Sequence, residues 1–231
     1  MHHLFFIVLT SLLFSVSCTQ RNPAQEAKAE QEARALKARE EFEKKLDAEF
    51  NNPVEPDLSE NRPVRGPRDA KVAVVIYSDF QCPFCSRGFA TMEKLREKYP
   101  TQVKLIFKHM PLDQHSSAEI GARYFEAIGL QSEEKAWQFH DTMFTHQEEL
   151  GAKAEGFMKE TAKKLKVDMK RLAKDIKSEV VTKRLKADSK ERRKFQFTGA
   201  PSFSVGGVKV IGAKGLPLFE RIIERHLKPK S

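Results

Sequence analysis

The spacing of apolar residues changes along the chain, and each change marks an element. Leu4 to Val16 is almost wholly apolar and 13 residues long, which suits a secretory h-region and is too short to span a bilayer as a helix. From Asn22 to about Phe50 the chain is rich in Ala, Glu, Lys and Arg, lacks Gly, and carries Pro23 where a helix would start. Ala35, Ala38, Phe42 and Leu46 follow helical spacing without sustained heptads. The pattern predicts a solvated helix, a spacer more readily than a coiled-coil stalk. Asn51 to Arg68 then sets Pro53, Pro56, Pro63 and Pro67 among polar residues, the composition of an ordered or semi-rigid linker.

Beyond the linker the period shortens. Val72-Ala73-Val74-Val75-Ile76-Tyr77 has no polar alternation and predicts a strand buried on both faces. A helix starting near Pro83 places Phe89, Met92, Leu95 and Tyr99 on one side until Pro100 stops it. Val103 to Phe107 predicts a second strand. Ser116 to Lys194 has helical spacing throughout: Ile120, Tyr124 and Ile128; Trp137, His140, Met143 and Phe144; Phe157, Thr161 and Leu165; Met169, Leu172 and Ile176. Asp168 is placed to cap the last of these, and Val181 with Leu185 opens another. Ser202 to Val205 and Val208 to Ile211 flank Gly206-Gly207, a two-residue hairpin signal, and Pro217 starts a final helix carrying Phe219, Ile222 and Ile223. The expected order is strand, helix, strand, helical insertion, strand, strand, helix.

Composition narrows the partners. The net charge of +9 suggests nucleic acid until it is mapped: Lys153 to Lys194 holds 16 Lys/Arg against 7 Asp/Glu and accounts for the whole excess. Solvated faces of charged helices explain this run, with attraction to an anionic membrane or to acidic clients as the alternative. The apolar leader makes export the default and nucleic acid an unexpected partner. Cys18 follows Ser15-Val16-Ser17, small residues similar to a bacterial lipoprotein cleavage box, in which the cysteine becomes the lipidated N-terminus. The expected organisation is a signal peptide over 1–18, a charged helical spacer over 19–50, a linker over 51–68 and a domain over 69–231 with a helical insertion at about 115–195.

Lipid on Cys18 would leave one close thiol pair, Cys82-Pro83-Phe84-Cys85. A C-x-x-C pair either ligates a metal or cycles between dithiol and disulfide. A closed zinc site needs four ligands, and His109, His115, His140, His146 or His226 would have to supply two. None of them forms a second close pair at metal-finger spacing, so no metal and no cofactor are expected. Redox chemistry suits the placement. Cys82 falls at a helix N-terminus, where unpaired N–H groups and the dipole favour the attacking thiolate. Pro83 has no N–H to leave unpaired there, and Cys85, one turn on, can attack a mixed disulfide and release the client. Cys82 is the expected nucleophile and Cys85 the resolving thiol.

The residues Tyr77 to Cys85, His109-Met110-Pro111-Leu112 with His115, Trp137 through His140-Asp141 to Phe144, and Thr198-Gly199-Ala200-Pro201-Ser202-Phe203 together resemble the DsbA-like thiol:disulfide oxidoreductases of the thioredoxin superfamily. The resemblance covers about residues 65 to 228. It implies an α/β thioredoxin fold with a helical domain inserted between its βαβ and ββα halves. It also implies a cis peptide bond before Pro201 facing the thiols, with Ala200 offering its backbone to an extended client. Without the resemblance Pro201 reads as a strand-start proline.

Two departures from the pattern bear on mechanism. Many thioredoxin-like proteins carry a buried acid six residues before the nucleophile, where Ile76 stands here, which makes Asp79 the proton-transfer candidate against a turn or capping role. Phe84 stands where the strongest oxidants have histidine, which implies a milder oxidant. His140 and Asp141 belong to the family pattern, and helix packing and capping account for them. Trp137 and Phe144 read as core. The implied function is exchange of a Cys82/Cys85 disulfide with cysteines of exported clients, chiefly to form disulfides, recharged by a membrane redox partner. The alternatives are a reductase or isomerase oligomerised through residues 22–50, and a chaperone or metal carrier whose thiols are incidental.

Overall fold

The computed structural model describes residues 23–58 and 61–229. Cys18 and the apolar leader lie outside them. The chain divides into two units that meet between Lys45 and Leu46. The first contains most of helix α1 (Pro23–Asn51), whose side chains are largely exposed, as its polar composition requires. Among the described residues no helix is long and apolar enough to cross a membrane.

The second unit is built on a five-stranded sheet of order β1-β3-β2-β4-β5. Its strands are β1 (Val64–Arg65), β2 (Val72–Ser78), β3 (Val103–His109), β4 (Ser202–Val205) and β5 (Val208–Ile211). β2 and β3 run parallel, and helix α2 (Pro83–Lys98) connects them. β4 pairs antiparallel with β2, and β5 with β4. The Gly206-Gly207 turn joins β4 to β5 with φ of +56° and +97°, values that glycine adopts without steric cost. Helix α8 (Leu216–Leu227) closes the chain with Pro217 in its first turn, one residue from the predicted start. This is the order of elements that the apolar pattern predicts and the thioredoxin fold that the resemblance implies.

Between β3 and β4 the chain forms helices α3 (Ala118–Gly129), α4 (Glu133–Thr145), α5 (Ala154–Lys164), α6 (Met169–Asp175) and α7 (Glu179–Lys194), with a 3-10 turn at Gln147–Leu150. Asp168 caps α6 as expected, its carboxylate accepting from the N–H groups of Lys170 and Arg171. The sheet is covered on both faces because the strands are apolar on both. Val74, Ile76, Leu105 and Phe107 enter the main core with Phe125, Trp137, Phe139 and Phe144 of the insertion. Val75, Tyr77 and Ile106 face the other way, against Phe195 and Phe197 beyond α7.

One strand has no counterpart in the apolar pattern. Val64 and Arg65, read from sequence as linker, pair antiparallel with Ile106 and Leu105 at the sheet edge. Two residues are too few to show a period. Neighbouring linker residues are tied down as well: the Val54 N–H donates to the Gly207 carbonyl, and Lys108 Nζ donates to the Asp57 carbonyl at 2.9 Å.

Candidate functional site

Chain direction places the thiols. β2 ends at Ser78, the chain turns through Asp79-Phe80-Gln81, and Cys82 is the N-cap of α2 with Pro83 at the first helical position. The Cys82 carbonyl accepts from the N–H groups of Cys85 and Ser86 at 2.9 and 3.2 Å. Both cysteines are free thiols and both are buried. The Ala200–Pro201 bond is cis, and the Cys82 thiol lies 3.6 Å from the Ala200 carbonyl oxygen. The four residues that the sequence assigned to exchange and client contact, Cys82, Cys85, Ala200 and Pro201, therefore meet at one place.

The environment separates the two thiols. A hydrogen bond from Cys85, reinforced by the N–H groups of Cys85 and Phe84, brings the Cys82 thiol down to about 6 against the opposing effects of burial and of Asp79. Burial first, then its hydrogen bond to Cys82, pushes Cys85 far above the usual thiol range; the Ser78 hydroxyl and the Asp79 N–H oppose this only in part. One sulfur is thus available as a thiolate at neutral pH, and the other keeps its proton.

Asp79 is buried but its carboxylate is occupied. It accepts from the N–H groups of Gln81 and Leu112 at 2.8 and 2.9 Å and lies 2.8 Å from His115 Nδ1. What Asp79 presents to Cys85 is its backbone N–H, 3.4 Å from the sulfur. Phe84 projects outward, 55% exposed, with the Arg87 guanidinium 4.4 Å from its ring centroid. An exposed aromatic ring and a cation therefore flank the mouth of the site. His140, Trp137 and Phe144 are buried behind it.

Several contributors carry no motif. Gln147, in the 3-10 turn, donates from Nε2 to the carbonyls of Phe80 and Cys82 at 2.6 and 3.0 Å. Gln81 bridges the other way, donating to the Leu150 carbonyl and accepting from the Ser117 N–H, both at 2.6 Å. Gly88 left a signal, because glycine inside a helix is costly unless packing requires it. A Cβ there would stand 3.1 Å from Pro201 Cγ and 3.3 Å from Phe203 Cζ, so any other residue would need the cis-proline loop to give way.

A second buried cluster lies on the insertion side. His109, Glu126 and Asp188 hold ligand-type atoms within 4.8 Å of one another. The nearest positive charges in that cluster are two arginines, with Lys108 Nζ 3.9 Å from Asp188 Oδ1. Arg62 Nη1 is 3.0 Å from Glu126 Oε1 and 2.9 Å from Asp188 Oδ2, and Arg184 Nη1 is 2.8 Å from Glu126 Oε2. With two guanidiniums on these carboxylates, the residues fit an ion-pair cluster and leave no place for a metal ion.

A sheet of this order, a thiol pair capping the helix after the first parallel strand and a cis-proline facing it are the marks of the thioredoxin fold, with the two thiols close enough to cycle between dithiol and disulfide. A family model described as Thioredoxin matches residues 58–225. The chain belongs to that family.

Among curated relatives, the Probable disulfide bond formation protein D of Bacillus anthracis is 32% identical over 149 residues, covering 62% of this chain and 68% of that one. The Na(+)/H(+) antiporter NhaA 3 of Salinispora tropica is 33% identical over 156 residues, covering 67% of this chain and 22% of the antiporter. The chain thus spans about a fifth of the length of such relatives. Of solved structures, a thioredoxin-like oxidoreductase from Silicibacter pomeroyi matches with a TM-score of 0.63 at 27% identity, over 78% of this chain and 95% of that one. Oxidised BdbD from Bacillus subtilis matches in fold with a TM-score of 0.66 at 20% identity, over 77% and 98%.

Proposed function

We propose that the chain is an exported, lipid-anchored thiol:disulfide oxidoreductase that passes a Cys82/Cys85 disulfide to cysteines of other exported proteins, with disulfide formation as its main direction. The observation that carries this reading is the separation of the two thiols. A Cys82 thiol near 6 stabilises the dithiol form, and a stabilised dithiol makes its disulfide the stronger oxidant. The value lies below the usual thiol at about 8.5 and above the strongest oxidants at about 3.5, consistent with phenylalanine at 84 and a milder donor.

In this reading a client thiolate attacks Cys82 of the disulfide. The client lies extended against Ala200, with Phe84 and Arg87 beside its side chains. Cys85 leaves, a second client thiol resolves the mixed disulfide, and the dithiol is reoxidised by a membrane redox partner. The relative named for disulfide bond formation supports the direction. The apolar leader ending at Cys18 supports the anchor. Antiport is not part of the proposal, since what is shared with the antiporters is about a fifth of their length.

The test is the reduction potential of the fragment from residue 46 onward, the larger compact unit, equilibrated with glutathione and read by alkylation of Cys82 and Cys85. A value between about −120 and −200 mV is expected; one near −270 mV would make the chain a reductase. Cys82→Ser should abolish exchange, and activity surviving that change would turn the reading toward a binding protein.

A further inference from the structure

The buried thiol raises a question of proton traffic. Cys85 is held as a thiol, yet it must shed its proton to attack a mixed disulfide and regain it when it leaves one. Neither near candidate serves. Ile76, on the neighbouring stretch of β2, is apolar, and the Asp79 carboxylate is taken up by Gln81, Leu112 and His115.

Beneath Cys85 there is a cavity of about 10 Å³, close to the volume that one water needs. Ser78, Cys85, Glu93, Trp137 and His140 line it among apolar side chains. A water in such a space needs two to four polar partners. Two residues of its wall, Trp137 and His140, carry a ring nitrogen with no hydrogen bond among the described residues. Trp137 Nε1 is buried and makes no hydrogen bond, and His140 bonds only through Nδ1, 3.0 Å from Asp141 Oδ1.

We propose that His140, held by Asp141, exchanges the Cys85 proton through one water in this cavity. The proposal rests on the redox reading above. The Asp141 carboxylate takes the hydrogen bond of Nδ1–H, so Nε2 keeps its lone pair, and the same carboxylate stabilises the imidazolium when a proton arrives. Burial lowers the His140 pKa, so the ring rests neutral.

Charged groups reach His140 from three elements. Asp141 comes from α4, Arg65 from β1 at 2.7 Å from Asp141 Oδ2, and Glu93 from α2 at 2.9 Å from Arg65. β3 and α3 present only aromatic rings, Phe107 at 4.6 Å and Phe125 at 6.2 Å between centroids. The side chain of Asp141 is 39% exposed, so the relay has an outlet to solvent.

The step balances. With a client held on Cys82, the water takes the Cys85 proton and gives one to Nε2. The Cys85 sulfur forms a bond to Cys82, the bond from Cys82 to the client breaks, and the client sulfur leaves with the electron pair and is protonated by solvent. The thiol pair is oxidised by two electrons and the client disulfide is reduced by two. Disulfide donation runs the same events backwards, and Cys85 then receives the proton.

The experiment follows reaction of the reduced chain with oxidised glutathione by rapid quench and mass spectrometry, across pH, in wild type, His140→Gln, Asp141→Asn and Asp79→Asn. Attack by Cys82 should proceed at the wild-type rate in His140→Gln, whereas resolution should slow by about a hundredfold. The glutathione adduct should accumulate, and the inflection in the pH profile of resolution should vanish. Asp141→Asn should slow resolution by a smaller factor and move the inflection to lower pH. If His140→Gln does not fold, Asp141→Asn decides the matter. Wild-type resolution with an unmoved profile in these variants overturns the proposal, as does loss of the inflection in Asp79→Asn instead. A chain whose Cys82 forms no adduct overturns the redox reading itself, and this inference with it.

Discussion

At Glu126 opposite charges on three sides outweigh burial, whereas at Cys82 and Cys85 two acids of the same kind are driven apart. Both places are buried and both perturb ionisation. At Glu126 burial alone would raise the carboxyl, but Arg62, His109 and Arg184 together outweigh it and hold the group down to about 2. No ordinary pH change releases it. At the thiols, one sulfur is lowered into the physiological range while its partner is raised out of it, so the pair has a reactive member and a reserve. A perturbed pKa by itself marks neither function nor structure. What separates the two places is whether a group's partners complete its charge or leave an unequal pair beside a cavity.

The largest test of this difference removes the centre of the paired cluster. Glu126→Ala takes the carboxylate from Arg184 and leaves Arg62 with Asp188 alone, and breaking a buried pair in this way costs about 3–5 kcal/mol. Urea denaturation should report the loss, and the Cys82 thiolate titration in the folded fraction should not move. A titration that moved with the stability would make the two clusters one network.

The sequence makes legible what period and turn chemistry can encode. β2, β3, the β4–β5 hairpin and α2 are visible because runs rich in Val, Ile and Leu, Gly206-Gly207 and Pro83 each have a local physical meaning. The thiols and Pro201 follow from the motifs around them. Other parts depend on partners remote in sequence. Arg65 stands 76 residues before Asp141, and its place at the sheet edge rests on a two-residue strand. His140 and Asp141 belong to the family pattern, but their surroundings become visible only once Arg65, Glu93 and the cavity are in place. Arg62 reads as an arginine in a proline-rich linker, and nothing near it announces Glu126 or Asp188. Gln147 has no signal at all, since a glutamine that accepts nothing from its own helix resembles any polar loop residue.

A second test uses pH to tell the clusters apart. Cys82 is depressed in the folded dithiol from the ordinary thiol value to about 6. A depressed acid contributes stability at pH above its unfolded value and loses it as pH falls through the folded one. The reduced form should therefore gain stability relative to the oxidised form from about pH 6 to about pH 8, above which Cys85 of the unfolded chain begins to titrate and opposes the trend. Glu126 obeys the same sign in another window. Its contribution is complete above its ordinary value of 4.5 and is lost as pH falls toward 2, equally in both redox forms. Urea midpoints of the two forms across pH would separate the effects. A redox-independent slope between pH 6 and 8 would show that the Cys82 thiolate is not what the fold stabilises.

The smallest expected effect sharpens the comparison where the helical insertion touches the thiol loop. Gln147 ties the carbonyls of Phe80 and Cys82 to the insertion, much as Arg62 ties linker to helices in the paired cluster. The Cys82 carbonyl keeps the N–H groups of Cys85 and Ser86 when Gln147 is lost, and only the Phe80 carbonyl is stripped of this donor. Gln147→Ala should therefore cost about 1 kcal/mol in stability. It removes no contact to either sulfur, so the pH at which Cys82 becomes reactive toward iodoacetamide should stay where it is. A shift in that midpoint would mean that the insertion sets the reactivity of the thiol as well as the position of its loop. The asymmetry of the pair would then be built by the whole domain and not by the first turn of α2.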